Sequence, residues 1–180
     1  NSSEMHEQQA QWLDRVLSQN ESEWVVLTFH HPVFSTGRDR DNPELRAMWK
    51  PVIDKYKVDL VLQGHDHTYG RTGFDVPDDS ASRKSSTRLA KPADRTALVT
   101  VGDTNAPVGV SKVDEDSGTI YVVSVSGPKM YNNSRDPFMK RIAEDTQLYQ
   151  VIHIDGDRLK YEARTAIGEL YDAFELQKQE

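Results

Sequence analysis

The chain has 180 residues and a mass of 20.5 kDa, with a formal charge of −7 and a pI near 5.4. This length suits one hydrophobic core, so we expect a single domain over residues 1–180. The acidic balance argues against a nucleic acid or an anionic membrane as partner, because both require a basic face. The sequence contains no cysteine, which excludes disulfides and thiolate chemistry, and no apolar run is long enough for membrane insertion. We expect a soluble protein.

The first third of the chain predicts a helix followed by a βαβ unit. Residues 4–18 have apolar side chains at helical spacing. Residues 24–30 and 58–63 are apolar runs typical of strands covered on both faces. A helical segment connects the two runs, so these strands should lie parallel and adjacent.

The connection between the two strands contains a loop and a helix. Residues 34–41 are polar with alternating charge, which we interpret as a solvated loop rather than a substrate-binding one. Asn42 is the predicted N-cap of the helix and Pro43 its first residue. Pro51 lies inside the helical pattern and should kink or divide the helix near Lys50.

The rest of the chain predicts a loop and then strands. Residues 75–95 are polar and predict a long surface loop, followed by a short strand at 97–101. Further strands are predicted at residues 119–125, 147–154, 158–164 and 169–176. An Asp-Gly turn joins the middle pair as a hairpin. We therefore expect an α/β fold in which mostly antiparallel strands follow the βαβ unit in a mixed sheet.

Histidines follow both strands of the βαβ unit. His30 and His31 come after the first strand, and His65 and His67 come after the second. The carboxyl ends of parallel strands meet at one edge of a sheet, where open α/β sheets bind ligands. Neutral imidazole is the commonest metal ligand, and a His-x-His pair can reach one ion or two neighbouring ions. We predict that His30, His65 and His67 bind metal.

Neighbouring residues have alternative interpretations. His31 should point away from His30, because successive side chains alternate in an extended segment, and it is interpreted as a loop or supporting residue. Asp66 should either face solvent or hydrogen-bond to a metal-binding residue without contacting the ion itself. Tyr69 and Arg71 either contact an anionic substrate or have packing and surface roles.

Simple structural roles are expected for three other residues. Gly64 should permit the tight turn that leads out of the second strand. His6 should lie on the exposed face of the first helix. His153 should be an ordinary histidine of the predicted hairpin.

Two motifs carry a resemblance to a known family. The segments Phe29-His30-His31-Pro32 and Gly64-His65-Asp66-His67-Thr68-Tyr69 resemble the last two motifs of the calcineurin-like metallophosphoesterases. The extension Thr68-Tyr69-x-Arg71 is most similar to the purple acid phosphatase-like branch. The resemblance implies a β-sandwich of two mixed sheets with a dinuclear metal centre at one edge. It implies that His30 and His65 bind one ion and His67 the other.

The same resemblance implies a hydrolase that acts on phosphate esters. Two divalent or trivalent ions, Fe, Zn, Mn or Mg, would hold the ester and lower the pKa of the attacking water. His31, Tyr69 and Arg71 are then the candidate substrate contacts. The family resemblance also favours an extracytoplasmic location.

The sequence departs from the family pattern in ways that limit this expectation. The earlier family motifs Asp-x-His, Gly-Asp-x-x-Asp and Gly-Asn-His-Asp/Glu, which supply carboxylate and asparagine ligands and a catalytic histidine, do not occur here. Position 70 is glycine where the branch usually has glutamate. The chain therefore resembles the C-terminal half of the family domain, without a catalytic residue of its own. Three neutral imidazoles cannot offset the charge of two ions, so we expect at most one weakly bound ion and an inactive isolated chain.

Two other functions are compatible with the sequence. The chain could be a non-catalytic protein-binding domain that keeps this fold. It could also be a complete mononuclear zinc hydrolase, with Asp66 as the only obvious base, and this alternative ranks last. A half-domain should also lack its partner sheet and expose an apolar face, through which the chain could self-associate.

Overall fold

The computed structural model describes residues 3–74, 76, 110–113, 117–134, 136, 138–143 and 145–178. Its elements, in chain order, are α1 (Ser3–Leu17), β1 (Val26–Phe29), α2 (Pro43–Lys55), β2 (Leu60–Gln63), β3 (Tyr69–Thr72), β4 (Val110–Val113), β5 (Ile120–Val123), β6 (Met139–Ala143), β7 (Leu148–Asp155), β8 (Arg158–Thr165) and β9 (Leu170–Lys178). The loop predicted at 75–95, apart from residue 76, and the strand predicted at 97–101 lie outside the described residues. No helix in the described ranges is long and apolar enough to cross a membrane.

The strands form two mixed sheets. Sheet I has the order β1-β2-β5-β3-β6, and sheet II has the order β4-β9-β8-β7. Strands β1 and β2 are parallel neighbours, with Val26 opposite Leu60, as predicted for the βαβ unit. Strand β5 is parallel to β2 rather than antiparallel. The predicted mixed α/β fold is confirmed, and three of its strands, β3, β4 and β6, were not predicted.

Sheet I is covered on both faces. Leu60 and Leu62 of β2 pack in the core between the two sheets, whereas Val61 packs in a second core with the helices. This alternation explains why β2 is apolar at consecutive positions. The expectation of a missing partner sheet is wrong, because sheet II is built from this chain itself. Self-association of the chain through an exposed sheet stays a prediction.

Helix α2 begins where the sequence indicates but differs in detail. Asn42 makes no side-chain capping bond, and its Nδ2 donates instead to the carbonyl oxygen of Pro32 at 3.0 Å. The helix continues through Pro51, so the predicted division is wrong. Leu45 and Ile53, on either side of Pro51, are both buried, and this packing holds the two parts of the helix in place.

Candidate metal centre

The two parallel strands bring histidines together at their carboxyl ends. His30 directly follows β1, and Nδ1 of His65 lies 3.1 Å from its Nε2. The amide of Gly64 donates to the carbonyl oxygen of His30 at 3.1 Å and ties the two strand ends together. Two nitrogens that each lie about 2.0–2.1 Å from a tetrahedral ion are about 3.3 Å apart. This pair therefore has the spacing of two adjacent ligands of one ion.

The turn that presents His65 is made by the histidine itself. His65 has a φ of 64°, in the left-handed region that residues other than glycine rarely adopt. Gly64 is not among the positive-φ glycines, and a Cβ at this position would meet His30 only at ordinary distances of 3.6 and 3.7 Å. The role predicted for Gly64 is thus taken by its neighbour. A sparsely populated backbone conformation at a bulky residue is frequent at functional sites.

His31 belongs to the same cluster. Its ring centroid lies 4.4 Å from that of His65 and 5.2 Å from that of His30. The expectation that His31 points away from His30 is wrong, because the chain bends at residues 30 and 31 instead of continuing as a strand. Burial lowers the pKa of His31, and the neighbouring imidazoles of His65, His30 and His6 lower it further. These effects favour the neutral form of the His31 imidazole.

His67 lies on the other side of Asp66 and has different partners. Its Nδ1 is 2.9 Å from the carbonyl oxygen of Lys129, and its ring packs against Tyr131 at 4.9 Å. A carbonyl only accepts, so Nδ1 of His67 carries the proton and Nε2 keeps the lone pair that a metal would use. Within the described residues, no group of three or more His, Asp or Glu side chains is arranged to hold a metal ion. The donors present fit two positions on one ion but do not complete a site.

An arginine that the sequence analysis assigned to a solvated loop is part of this centre. Arg40 donates from Nε to Oδ1 of Asp66 at 2.5 Å, and its Nη2 lies 3.1 Å from Nε2 of His65. Asp66 is only 2% exposed, so the solvent-facing interpretation is wrong. Its second carboxylate oxygen accepts from Ser35. The hydrogen bond with Asp66 raises the pKa of Arg40.

The loop over residues 34–41 is half interior. Phe34 and Thr36 are 2% and 0% exposed, which contradicts a fully solvated loop. Their burial positions Arg40 towards the histidines. In the sequence, the sign of this role is that the charged loop lies between two strands that are each followed by histidines. Its polar composition does not distinguish a solvated loop from one that contributes to a site.

Tyr69 and Arg71 are interior residues. Both are 0% exposed and both donate to Asp172, Tyr69 from its hydroxyl at 2.7 Å and Arg71 from Nε at 2.6 Å and Nη2 at 2.9 Å. Burial raises the pKa of Tyr69 well above its usual value. These buried contacts indicate that Tyr69 and Arg71 have a packing role, and they do not favour a role in contacting substrate.

A cleft of about 350 Å³ opens beside the histidines. It is lined mostly by aromatic and histidine side chains: His6, Gln9, Trp12, Phe29, His30, His31, Leu45 and Trp49. His6 is half-buried with an enclosed Nδ1, so its predicted position on an exposed helix face is wrong. The cleft extends the histidine cluster towards helix α1.

Comparison with known proteins identifies the family that the chain resembles. Residues 1–69 match the family model described as calcineurin-like phosphoesterase. The Fe(3+)-Zn(2+) purple acid phosphatase 12 of Arabidopsis thaliana is 33% identical in an alignment of 69 positions that covers 36% of this chain and 15% of that protein. The resemblance to the calcineurin-like phosphoesterases is confirmed. The curated relatives match over only 12–17% of their own length.

Two solved structures of low sequence identity share the fold of this chain. The purple acid phosphatase PPD1 from yellow lupin aligns with a TM-score of 0.68 and 18% identity, covering 95% of this chain and 28% of that one. GAP50, described as the anchor in the inner membrane complex of Plasmodium, aligns with a TM-score of 0.61 and 13% identity, covering 99% and 45%. The matched fold includes sheet II as well as the histidine-bearing sheet I.

Proposed function

We propose that this chain supplies part of the active site of a metal-dependent phosphoesterase, which hydrolyses phosphate monoesters or diesters. In this proposal His30 and His65 bind one ion and His67 binds the other. The 3.1 Å approach of Nδ1 of His65 to Nε2 of His30, at the carboxyl edge of two parallel strands, is the observation that carries it. The match to a phosphoesterase family and to purple acid phosphatases supports the choice of reaction.

The roles of the chain's own residues follow from their chemistry. His67 is oriented by the carbonyl oxygen of Lys129, so that its Nε2 is the ligand atom. His31 lies next to the pair, and its lowered pKa favours the neutral imidazole; we propose it as the substrate contact among His31, Tyr69 and Arg71. Bound ions would neutralise the ester and acidify a water molecule.

The same proposal requires ligands from outside this chain. Imidazoles carry no negative charge, and two multivalent ions need carboxylates nearby. Asp66, the carboxylate within the histidine segment, is engaged by Arg40 and Ser35. The metal identities of Fe, Zn, Mn or Mg, a weakly bound single ion in the isolated chain, and an extracytoplasmic location all stay predictions.

The test uses the intact gene product that contains this chain. Its hydrolysis of p-nitrophenyl phosphate is measured with Mn²⁺, Zn²⁺ or Fe, together with its metal content. His65→Ala should lower both quantities, whereas His153→Ala, an exposed histidine on strand β7, should leave both unchanged. An inactive intact protein whose metal content does not respond to His65→Ala would refute the proposal.

A second candidate is a non-catalytic binding domain that keeps the fold. The specific observation in its favour is the alignment with GAP50, which is described as an anchor and covers 99% of this chain. Metal analysis separates the candidates, because an enzyme of this kind must retain metal in stoichiometric amounts. An intact protein that is purified without metal, and that gains no activity when metal is added, would favour the binding domain.

A further inference from the structure

We propose that Arg40 is a latch on His65: it holds the imidazole in a hydrogen-bonded state that excludes a metal ion, and it must move away before His65 can bind one. The inference rests on the proposed function, because it concerns how His65 becomes a ligand. It assigns a role to a residue outside the histidine motifs.

The hydrogen bonds of His65 have a defined direction. A guanidinium can only donate, so Nη2 of Arg40, 3.1 Å from Nε2 of His65, requires the lone pair of that nitrogen. The proton of the neutral imidazole is then on Nδ1. Nδ1 in turn donates to Nε2 of His30 at 3.1 Å. The pair therefore forms a directed chain of hydrogen bonds, and neither of the two facing nitrogens has a lone pair available for metal.

Arg40 is held by several contacts. Its partner Asp66 is 2% exposed, and both carboxylate oxygens are engaged, one by Arg40 and one by Ser35. The guanidinium carbon also lies 4.7 Å from the ring centroid of Tyr131, a geometry of cation–π attraction. An arginine held by a buried carboxylate and an aromatic face has a defined resting position.

In this resting position Arg40 is linked to both His65 and His67. Tyr131, which packs under Arg40, also packs against the ring of His67 at 4.9 Å. Arg40 thus contacts His65 directly and is linked to His67 through one aromatic ring. The side chain is 36% exposed, so a path outwards into solvent is open.

The experiment makes two measurements on the full chain: the tautomer of His65 without metal, and the affinity of the chain for zinc. The tautomer of His65 is read by ¹⁵N imidazole NMR, assigned by the signal lost in His65→Ala. Zinc affinity is measured by chelator competition with Zn²⁺ as the only ligand. Arg40→Gln removes the latch, and Arg38→Gln is the matched control, because Arg38 is an exposed arginine of the same loop.

We expect His65 to carry its proton on Nδ1 in the wild-type chain and to lose this preference in Arg40→Gln. Zinc should bind Arg40→Gln about tenfold more tightly than the wild type, the size of effect that groups behind a ligand have on metal affinity. Arg38→Gln should bind as the wild type does. A wild-type His65 protonated on Nε2, or an unchanged affinity in Arg40→Gln, would overturn the latch.

One further variant excludes a different cause. Removing Arg40 also frees the carboxylate of Asp66, which could itself bind zinc. The gain should therefore persist in Arg40→Gln/Asp66→Asn, and its loss there would overturn the latch. If instead the proposed function is wrong and His65 is not a metal ligand, His65→Ala should leave the zinc affinity of the chain unchanged. This result distinguishes failure of the proposed function from failure of the latch.

Discussion

Asp172→Asn tests the interior ion pair that joins the two sheets. Asp172 of β9 accepts from Tyr69 and doubly from Arg71 of β3, and both Asp172 and Arg71 are 0% exposed. The substitution keeps the volume but removes the charge, and the new amide group faces donors of Arg71. Breaking a buried pair by removing one partner costs about 3–5 kcal/mol. At about 2–4 °C per kcal/mol for a chain of this length, the melting temperature should fall by about 6–20 °C.

The assay is thermal and urea unfolding followed by circular dichroism. Asp14→Asn is the control, because Asp14 forms an exposed ion pair with Lys55 and should change the melting temperature little. Replacing both interior partners, as Arg71→Met/Asp172→Leu, should cost less than Asp172→Asn alone, since no unpaired charge is then buried. The reasoning is refuted if Asp172→Asn is no more destabilising than Asp14→Asn.

Two further predictions concern the site loop and the response to acid. Gly70→Ala should lower the free energy of unfolding by about 1–3 kcal/mol, because the added Cβ would lie 2.2 Å from Cγ2 of Thr36 and overpack the interior. In urea unfolding, Thr36→Ser should partly restore the stability of Gly70→Ala, and the control Gly127→Ala should have no effect because its Cβ would meet open space. An unchanged stability of Gly70→Ala would contradict this packing. Hydrogen bonding to Lys160 lowers the pKa of Glu162 from 4.5, so its contribution to stability is present above that pH and is lost as the pH falls through the folded-state pKa. The urea midpoint should therefore fall in acid less steeply in Glu162→Gln than in the wild type, and equal slopes would contradict this assignment.

Elements with a strong apolar period could be predicted from the sequence. The helical spacing in 4–18 and the apolar runs at 24–30 and 58–63 correspond to α1, β1 and β2. The Asp-Gly turn correctly predicted the β7–β8 hairpin, in which Gly156 has a φ of 53°. These features depend on neighbours in sequence, which is why a single sequence was sufficient.

Features that depend on distant partners could not be predicted. Strand β3 contains Arg71, and an arginine in a short segment normally indicates an exposed position. Its burial depends on the ion pair with Asp172, which lies 101 residues later in the sequence. Arg40 and Asp66 likewise form one buried unit only after folding. The same limit applies to the site, since strand order predicted that His30 and His65 converge but did not predict the arginine that contacts His65.

The most direct test of the proposed metal site is the position of an ion in crystals of the intact protein. Zinc anomalous scattering should give a peak about 2.0–2.1 Å from both Nδ1 of His65 and Nε2 of His30, with Arg40 moved away from His65. A zinc peak elsewhere, or none while the two nitrogens keep their 3.1 Å hydrogen bond, would contradict the account.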